Sequence, residues 1–156
     1  EFEATYRARL LETFETELHA MPHVAEVIAT LGVQHCIATS SSPMRAAKSL
    51  ALVGLGHLAG PHLFTSTMVA NGKPAPDLFL HAAAQMNVTP ERCLVIEDSL
   101  TGVRAGLAAG MTVWRFTGGS HLRNSTLEEP EDARADLRFA SFAEFYQIAP
   151  ELRALP

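Results

Sequence analysis

Four side chains of complementary chemistry each follow a run of apolar residues that is typical of a buried strand: Ser40, Lys73, Glu97 and Asp98. A phosphoryl group needs positive charge and hydrogen-bond donors around its oxygens, and the Lys73 ammonium, the Ser40 hydroxyl and nearby backbone N–H groups can supply them. The carboxylates repel phosphate, but they can hold a hard divalent cation such as Mg²⁺ beside it. These residue types therefore predict a magnesium-dependent site for a phosphorylated substrate.

Each of these residues can also be interpreted as having an ordinary structural role. A serine after a strand often only forms a turn, and a lysine before a proline is commonly a solvated loop residue. Adjacent carboxylates such as Glu97 and Asp98 can cap the helix that follows them. The functional hypothesis therefore depends on the combination of all four side chains.

The segments that must position these residues alternate between strand and helix patterns. Apolar runs predict strands over residues 33–39, 63–69, 93–96, 112–116 and 137–140, and the run 93–96 is typical of a strand covered on both faces. Helical periodicity or composition predicts helices over residues 2–18, 24–31, 43–53, 76–86, 99–110 and after residue 140. This alternation predicts an α/β fold with a parallel sheet and helices on both faces. Ligands of such sheets bind at the carboxyl ends of the strands, where the four side chains fall.

Composition sets the broad class of the protein. The chain has 156 residues, enough for one domain with a real core, and a net charge of -5. Its 12 Lys and Arg residues are scattered, which argues against a nucleic-acid partner, and no apolar stretch is long enough to predict a membrane span. Cys36 and Cys93 lie in apolar runs and make no disulfide framework, and no signal peptide is visible. We therefore expect a cytoplasmic protein.

Three segments resemble the signatures of the haloacid dehalogenase-like superfamily, in the family's order. Cys36-Ile37-Ala38-Thr39-Ser40 is similar to the second signature and Gly72-Lys73-Pro74-Ala75-Pro76-Asp77 to the third. A third segment resembles the fourth, acidic signature: it begins with Val95-Ile96-Glu97-Asp98-Ser99 and continues as far as Met111. The resemblance implies a three-layer, Rossmann-like α/β core that hydrolyses a small phosphomonoester with Mg²⁺ through an aspartyl-phosphate intermediate.

The resemblance also implies a role for each candidate residue. Ser40 and Lys73 would hold the phosphate, Ser41 would contribute to substrate binding, and Asp98 would be the principal magnesium ligand. Glu97 would assist Asp98, either as a second ligand or from outside the ligand set.

The segment Ser40-Ser41-Ser42-Pro43 narrows the resemblance to one group within the family. It is similar to sugar-phosphate phosphatases and phosphomutases, in which the first of the three serines touches phosphate, and loosely to a 6-phosphogluconate phosphatase-like subgroup. Thr39 is the alternative to Ser40. The expected partner is a small phosphorylated metabolite, with a sugar phosphate as the favoured class.

The family's first signature is missing from this sequence. That Asp-x-Asp segment supplies the nucleophile and the general acid/base, and no Asp-x-Asp occurs in this chain. In the family its strand lies between those ending at Ser40 and Glu97, so its absence would leave two half-sheets with exposed edges. We therefore expect an excerpt of a longer protein, with residues 1–20 as the last helix of a helical cap and 21–156 as an incomplete catalytic core.

Two other functions remain open at this stage. A phosphomutase of the same family would share all these residues, and an inactive binding fragment would keep the fold without the chemistry. A receiver domain also unites carboxylates, a hydroxyl and a lysine, but its acidic pair comes first in the chain. The seven histidines are scattered along the sequence, and we predict no histidine metal site.

Overall fold

Strands and helices alternate along the chain in the computed structural model, which describes residues 18–122 and 128–155. The strands are β1 (Ile37–Thr39), β2 (Leu63–Thr65), β3 (Leu94–Glu97), β4 (Thr112–Phe116) and β5 (Leu137–Phe139). The helices are α1 (Val24–Thr30), α2 (Pro43–Leu52), α3 (Asp77–Gln85), α4 (Leu100–Ala108) and α5 (Phe145–Ile148). Short 3₁₀ turns connect several of these elements. The predicted α/β class is confirmed.

The described strands form two separate parallel sheets. One contains β1 and β2, and the other has the strand order β3-β4-β5. Ile37 donates its backbone N–H to His62 on the β2 side of β1, so the backbone groups of Ala38 face the opposite edge of that sheet, where no strand of the described residues pairs. This is the pair of half-sheets that the missing first signature predicts.

Helix α4 packs tightly on β3 and β4 because small residues face the sheet. A β-carbon on Gly106 would lie only 2.7 Å from Val113 Cγ2, so glycine permits this close approach. Val103 of α4 and Val113 of β4 are both fully buried. This packing fixes the loop between β3 and α4, which carries Asp98.

A second core lies on the side of β4 and β5 and is built from aromatic side chains. Its buried members are Val27 of α1, Phe116, Phe139 and Phe145. The Tyr146 hydroxyl donates to the backbone carbonyl of Val27 at 2.9 Å and ties α1 to α5. Helix α5 is thereby held against α1 and, through Phe145, against β4 and β5.

Two predicted strands are each four residues shorter in the structure. β1 begins at Ile37 instead of residue 33, and β2 ends at Thr65 instead of residue 69, where a 3₁₀ turn over Ser66–Met68 follows. β2 ends there because its partner β1 ends at Thr39 and the Ser66 hydroxyl bonds to the Ser40 carbonyl instead. Periodicity could not locate these ends, because they are set by pairing between distant segments.

Two predictions about burial were wrong in detail. Cys36 and Cys93 lie just before β1 and β3, not within them, and both are free and half-buried. Ile96 is 39% exposed, so β3 is not covered on both faces as predicted, although Val95 beside it is buried. A short apolar run does not reveal which of its faces a neighbour covers.

The predicted helix over residues 2–18 lies outside the described residues, apart from Leu18, which is not helical. The proposed boundary at residue 20 therefore stays a prediction. Across residues 18–122 and 128–155, every helix is too short or too polar to cross a membrane.

Candidate active site

Lys73 bridges the two sheets. Its ammonium donates to the Ala38 carbonyl on the open edge of β1 at 3.2 Å and pairs with the Glu97 carboxylate at the end of β3. Its ammonium also lies over the Phe79 ring, with Nζ 4.6 Å from the ring centroid. The Lys73 and Glu97 side chains are 8% and 11% exposed. The structure therefore holds a nearly buried positive charge where the carboxyl ends of β1 and β3 face each other.

The Glu97 carboxylate is partnered on both oxygens. Oε1 contacts Lys73, and Oε2 accepts from the Ser99 hydroxyl at 3.0 Å and from the Ser99 backbone N–H at 3.4 Å. A β-carbon on Gly102 would lie only 2.0 Å from Glu97 Cδ. The carboxylate thus occupies space that glycine alone leaves open, and its burial is tolerable because it is paired.

Ser99, not the acidic pair, caps helix α4. Its hydroxyl accepts from the Gly102 backbone N–H at 3.0 Å, which is the usual N-cap geometry. The alternative interpretation of Glu97 and Asp98 as side-chain helix caps therefore does not describe this loop, and their carboxylates make other contacts.

Asp98 is held from the β4 side while its carboxylate reaches solvent. Oδ2 lies 3.3 Å from His121 Nε2, and the side chain is 47% exposed. Its backbone carbonyl accepts from Arg115 Nε at 3.5 Å. Arg115 is itself buried and paired with buried Glu129 at 3.1 Å. A fixed backbone and a half-exposed carboxylate suit a residue that has to meet a ligand.

The serines lie at the carboxyl end of β1. Ser40 is exposed, and its backbone carbonyl accepts from the Ser66 hydroxyl at 3.0 Å. The Thr39 hydroxyl accepts from the Ser41 backbone N–H at 3.1 Å, so it serves the turn. Lys73 reaches β1 at Ala38, two residues before Ser40. This arrangement favours Ser40 over Thr39 as the hydroxyl available to a substrate.

The available donors fit Mg²⁺ with Asp98 as its ligand from this chain. Mg²⁺ is commonly held by one or two carboxylates and completes its shell with waters and substrate oxygens. Glu97 is bound to Lys73, which leaves Asp98 as the member of the pair whose carboxylate faces solvent. Among the described residues, no group of three or more His, Cys, Asp or Glu side chains could hold a metal by itself. The remaining ligands would be solvent, substrate or residues outside the described segments.

Sequence reasoning missed two residues beside Asp98. Arg115 lies inside the predicted strand 112–116, and His121 lies between the predicted strands 112–116 and 137–140. A charged residue inside an otherwise apolar strand, and the Gly-Gly-Ser-His segment after that strand, were the available signals. Arg115 pairs with Glu97 in the register of β3 and β4, and His121 lies in the segment that follows β4, so both lie on the side of the sheet where β3 and β4 end.

A family model described as a haloacid dehalogenase-like hydrolase matches residues 1–110. The chain belongs to the haloacid dehalogenase-like hydrolase family. It is 30% identical over 121 residues to 6-phosphogluconate phosphatase of Escherichia coli, covering 78% of this chain and 55% of that protein. It is 36% identical over 112 residues to hexitol phosphatase A of the same organism, covering 69% of this chain and 50% of that protein.

A solved structure extends the similarity to nearly the whole chain. A haloacid dehalogenase-like protein of unknown function from Agrobacterium tumefaciens matches with a TM-score of 0.81 and 30% identity, covering 96% of this chain and 68% of that one. The chain spans about half the length of the curated relatives it matches, 55% and 50% for the two phosphatases.

Proposed function

We propose that the complete protein is a magnesium-dependent phosphatase that hydrolyses a small phosphomonoester, with a sugar phosphate as the substrate class. The observation that carries this proposal is the Lys73 ammonium, nearly buried and fixed between the carboxyl ends of β1 and β3, with the half-exposed Asp98 carboxylate directly after β3. The two phosphatases of E. coli, named for a sugar acid phosphate and for hexitol phosphates, support the substrate class.

Each residue has a role that follows from its position. Lys73 would contact the phosphoryl oxygens with its fixed charge, and the exposed Ser40 hydroxyl would donate to them from the end of β1. Ser41 follows in the same turn and would contribute to substrate binding. Asp98 would hold Mg²⁺, which when bound neutralises negative charge on the phosphoryl group. Glu97 would keep Lys73 in place through their pairing and would assist Asp98.

The nucleophile would come from a segment upstream of this chain. An aspartate carboxylate would attack phosphorus, the ester P–O bond would break, and the leaving oxygen would take a proton from the general acid. Water would then hydrolyse the aspartyl phosphate and release inorganic phosphate. The edge of β1 that faces away from β2, on the side of Glu97 of β3, is where the strand carrying that aspartate would lie, and it would meet the Ala38 carbonyl that Lys73 contacts here.

The test is phosphate release by the complete protein from a panel of sugar phosphates that includes 6-phosphogluconate, with Mg²⁺ and with EDTA. Lys73→Met and Asp98→Asn should each lower turnover by about 100-fold or more, because each removes charge stabilisation at the reacting group. Arg92→Met and Asp132→Asn are controls that change an exposed cation and an exposed carboxylate elsewhere. Near-normal turnover of either site variant would refute the site assignment. Transfer of phosphate to an added sugar phosphate, without release, would instead indicate a phosphomutase.

A further inference from the structure

We propose that His121 is a positioning residue that orients the Asp98 carboxylate for metal binding. This inference rests on the proposed function, because it takes Asp98 as the magnesium ligand. It assigns a task to the segment Thr117–His121, which follows β4 and which no sequence signature includes.

The contact between the two side chains leaves one carboxylate oxygen for a cation. His121 Nε2 lies 3.3 Å from Asp98 Oδ2. At this distance an imidazole that carries its proton on Nε2 can donate to Oδ2, which would leave Oδ1 for a ligand. Hydrogen bonds of this kind to a ligating carboxylate fix its plane and raise the affinity of the site.

The imidazole is seated on Gly119. A β-carbon on Gly119 would lie 2.7 Å from His121 Cε1 and 3.0 Å from Nδ1, so the ring occupies the space that glycine leaves free. Gly119 itself is buried although the ring above it is exposed. The ring therefore lies against the Gly119 backbone, while its Nε2 edge reaches Asp98.

The loop that carries this ring is fastened to β5. The Thr117 backbone N–H donates to the Phe139 carbonyl at 2.9 Å, and the Thr117 hydroxyl donates to the same oxygen at 3.2 Å. A β-carbon on Gly118 would lie 2.0 Å from the Ala140 carbonyl oxygen, so the two backbones touch. A loop held this closely can present His121 at a defined place.

Arg115 fixes the other part of Asp98. Its guanidinium contacts the Asp98 backbone carbonyl at 3.5 Å and is held by buried Glu129 at 3.1 Å. The backbone carbonyl of Asp98 is thus held from β4, and the contact with His121 restrains the rotation of its side chain.

A purely structural role does not explain the contact of His121 with Asp98. Its side chain is 60% exposed, so truncation removes little packing. Direct coordination is also disfavoured, because Mg²⁺ prefers oxygen ligands.

The test measures Mg²⁺ affinity of the complete protein by calorimetric titration, with the Mg²⁺-dependent rise in melting temperature as a second readout. His121→Ala should weaken Mg²⁺ binding about 10-fold, whereas His121→Gln, which keeps an N–H donor at a similar reach, should stay within about 3-fold of the wild type. Gly119→Ala should also weaken binding, because its β-carbon displaces the ring, but should add nothing in the His121→Ala background. His57→Ala, in an exposed turn before β2, is the matched control and should bind Mg²⁺ normally.

Asp98→Asn separates failure of this inference from failure of the proposed function. If Asp98→Asn binds Mg²⁺ like the wild type, both the assignment of Asp98 as the metal ligand and the inference about His121 are refuted. If Asp98→Asn loses Mg²⁺ but His121→Ala keeps full affinity, only the inference falls. A rise in KM for the sugar phosphate with unchanged Mg²⁺ affinity would also overturn it, since His121 would then be a substrate contact.

Discussion

Gly102 lies in the first turn of α4, where helix propensity alone would favour alanine by up to about 1 kcal/mol. The surroundings of this residue reverse that expectation. A β-carbon at Gly102 would lie 2.0 Å from Glu97 Cδ and 2.1 Å and 2.4 Å from its carboxylate oxygens. All three distances are below 3.0 Å, so the carboxylate has to move. We therefore predict that Gly102→Ala destabilises the protein.

The size of the effect follows from the contacts that would be lost. Moving Glu97 breaks its pair with Lys73 and its two hydrogen bonds from Ser99. Breaking a buried ion pair costs about 3–5 kcal/mol when a charge is left without its partner. After the gain in propensity is subtracted, Gly102→Ala should lower the free energy of unfolding by about 2–4 kcal/mol.

Urea unfolding of the complete protein measures this change, and a double-mutant cycle identifies its cause. With Glu97→Ala already in place the steric conflict is gone, so adding Gly102→Ala should be neutral or stabilising. Ala108→Gly, at an exposed position of the same helix, calibrates the propensity contribution. If Gly102→Ala stabilises the wild-type protein, or costs as much without Glu97 as with it, the reasoning about this contact is wrong.

Two further predictions concern ion pairs of opposite burial. Arg115→Met should lower the free energy of unfolding by about 3–5 kcal/mol in chemical denaturation, because it leaves the buried Glu129 carboxylate without its partner. The double variant Arg115→Met/Glu129→Gln should lose less of this free energy. An equal loss in the double variant would contradict the prediction. The Arg104 guanidinium holds the pKa of exposed Asp132 below its usual range, so the pair contributes stability above the ordinary aspartate pKa and loses it as the pH falls through the lowered native pKa. The stability difference between Asp132→Asn and the wild type should therefore be constant near neutral pH and disappear in acid, and a difference that grows in acid would contradict the assignment.

The parts of the fold that the sequence predicted well are those with strong local signals. Residues 112–116 form β4 as predicted, because a short, mostly apolar run that follows the end of a helix at Gly110 and precedes polar residues is typical of a strand. Helix α2 begins at Pro43, a residue suited to the first helical position. The separation into two sheets followed from the missing first signature and the cost of an uncovered edge.

The remaining features depend on contacts between residues far apart in the chain. Lys73 and Glu97 are 24 positions apart, and their pairing needs the relative placement of β1 and β3. Periodicity gives no such placement. His121 was overlooked for the same reason, because its contact with Asp98 is set by the packing of Gly119 and by the attachment of its loop to β5.

The measurement that tests the central claim most directly is a crystal structure of the complete protein grown with Mn²⁺ in place of Mg²⁺ and with tungstate as a phosphate mimic. Anomalous scattering locates both. The account predicts Mn²⁺ bound to the Asp98 carboxylate and tungstate within hydrogen-bond distance of Lys73 Nζ and the Ser40 hydroxyl. Metal bound away from Asp98, or an oxyanion that does not touch Lys73, would contradict it.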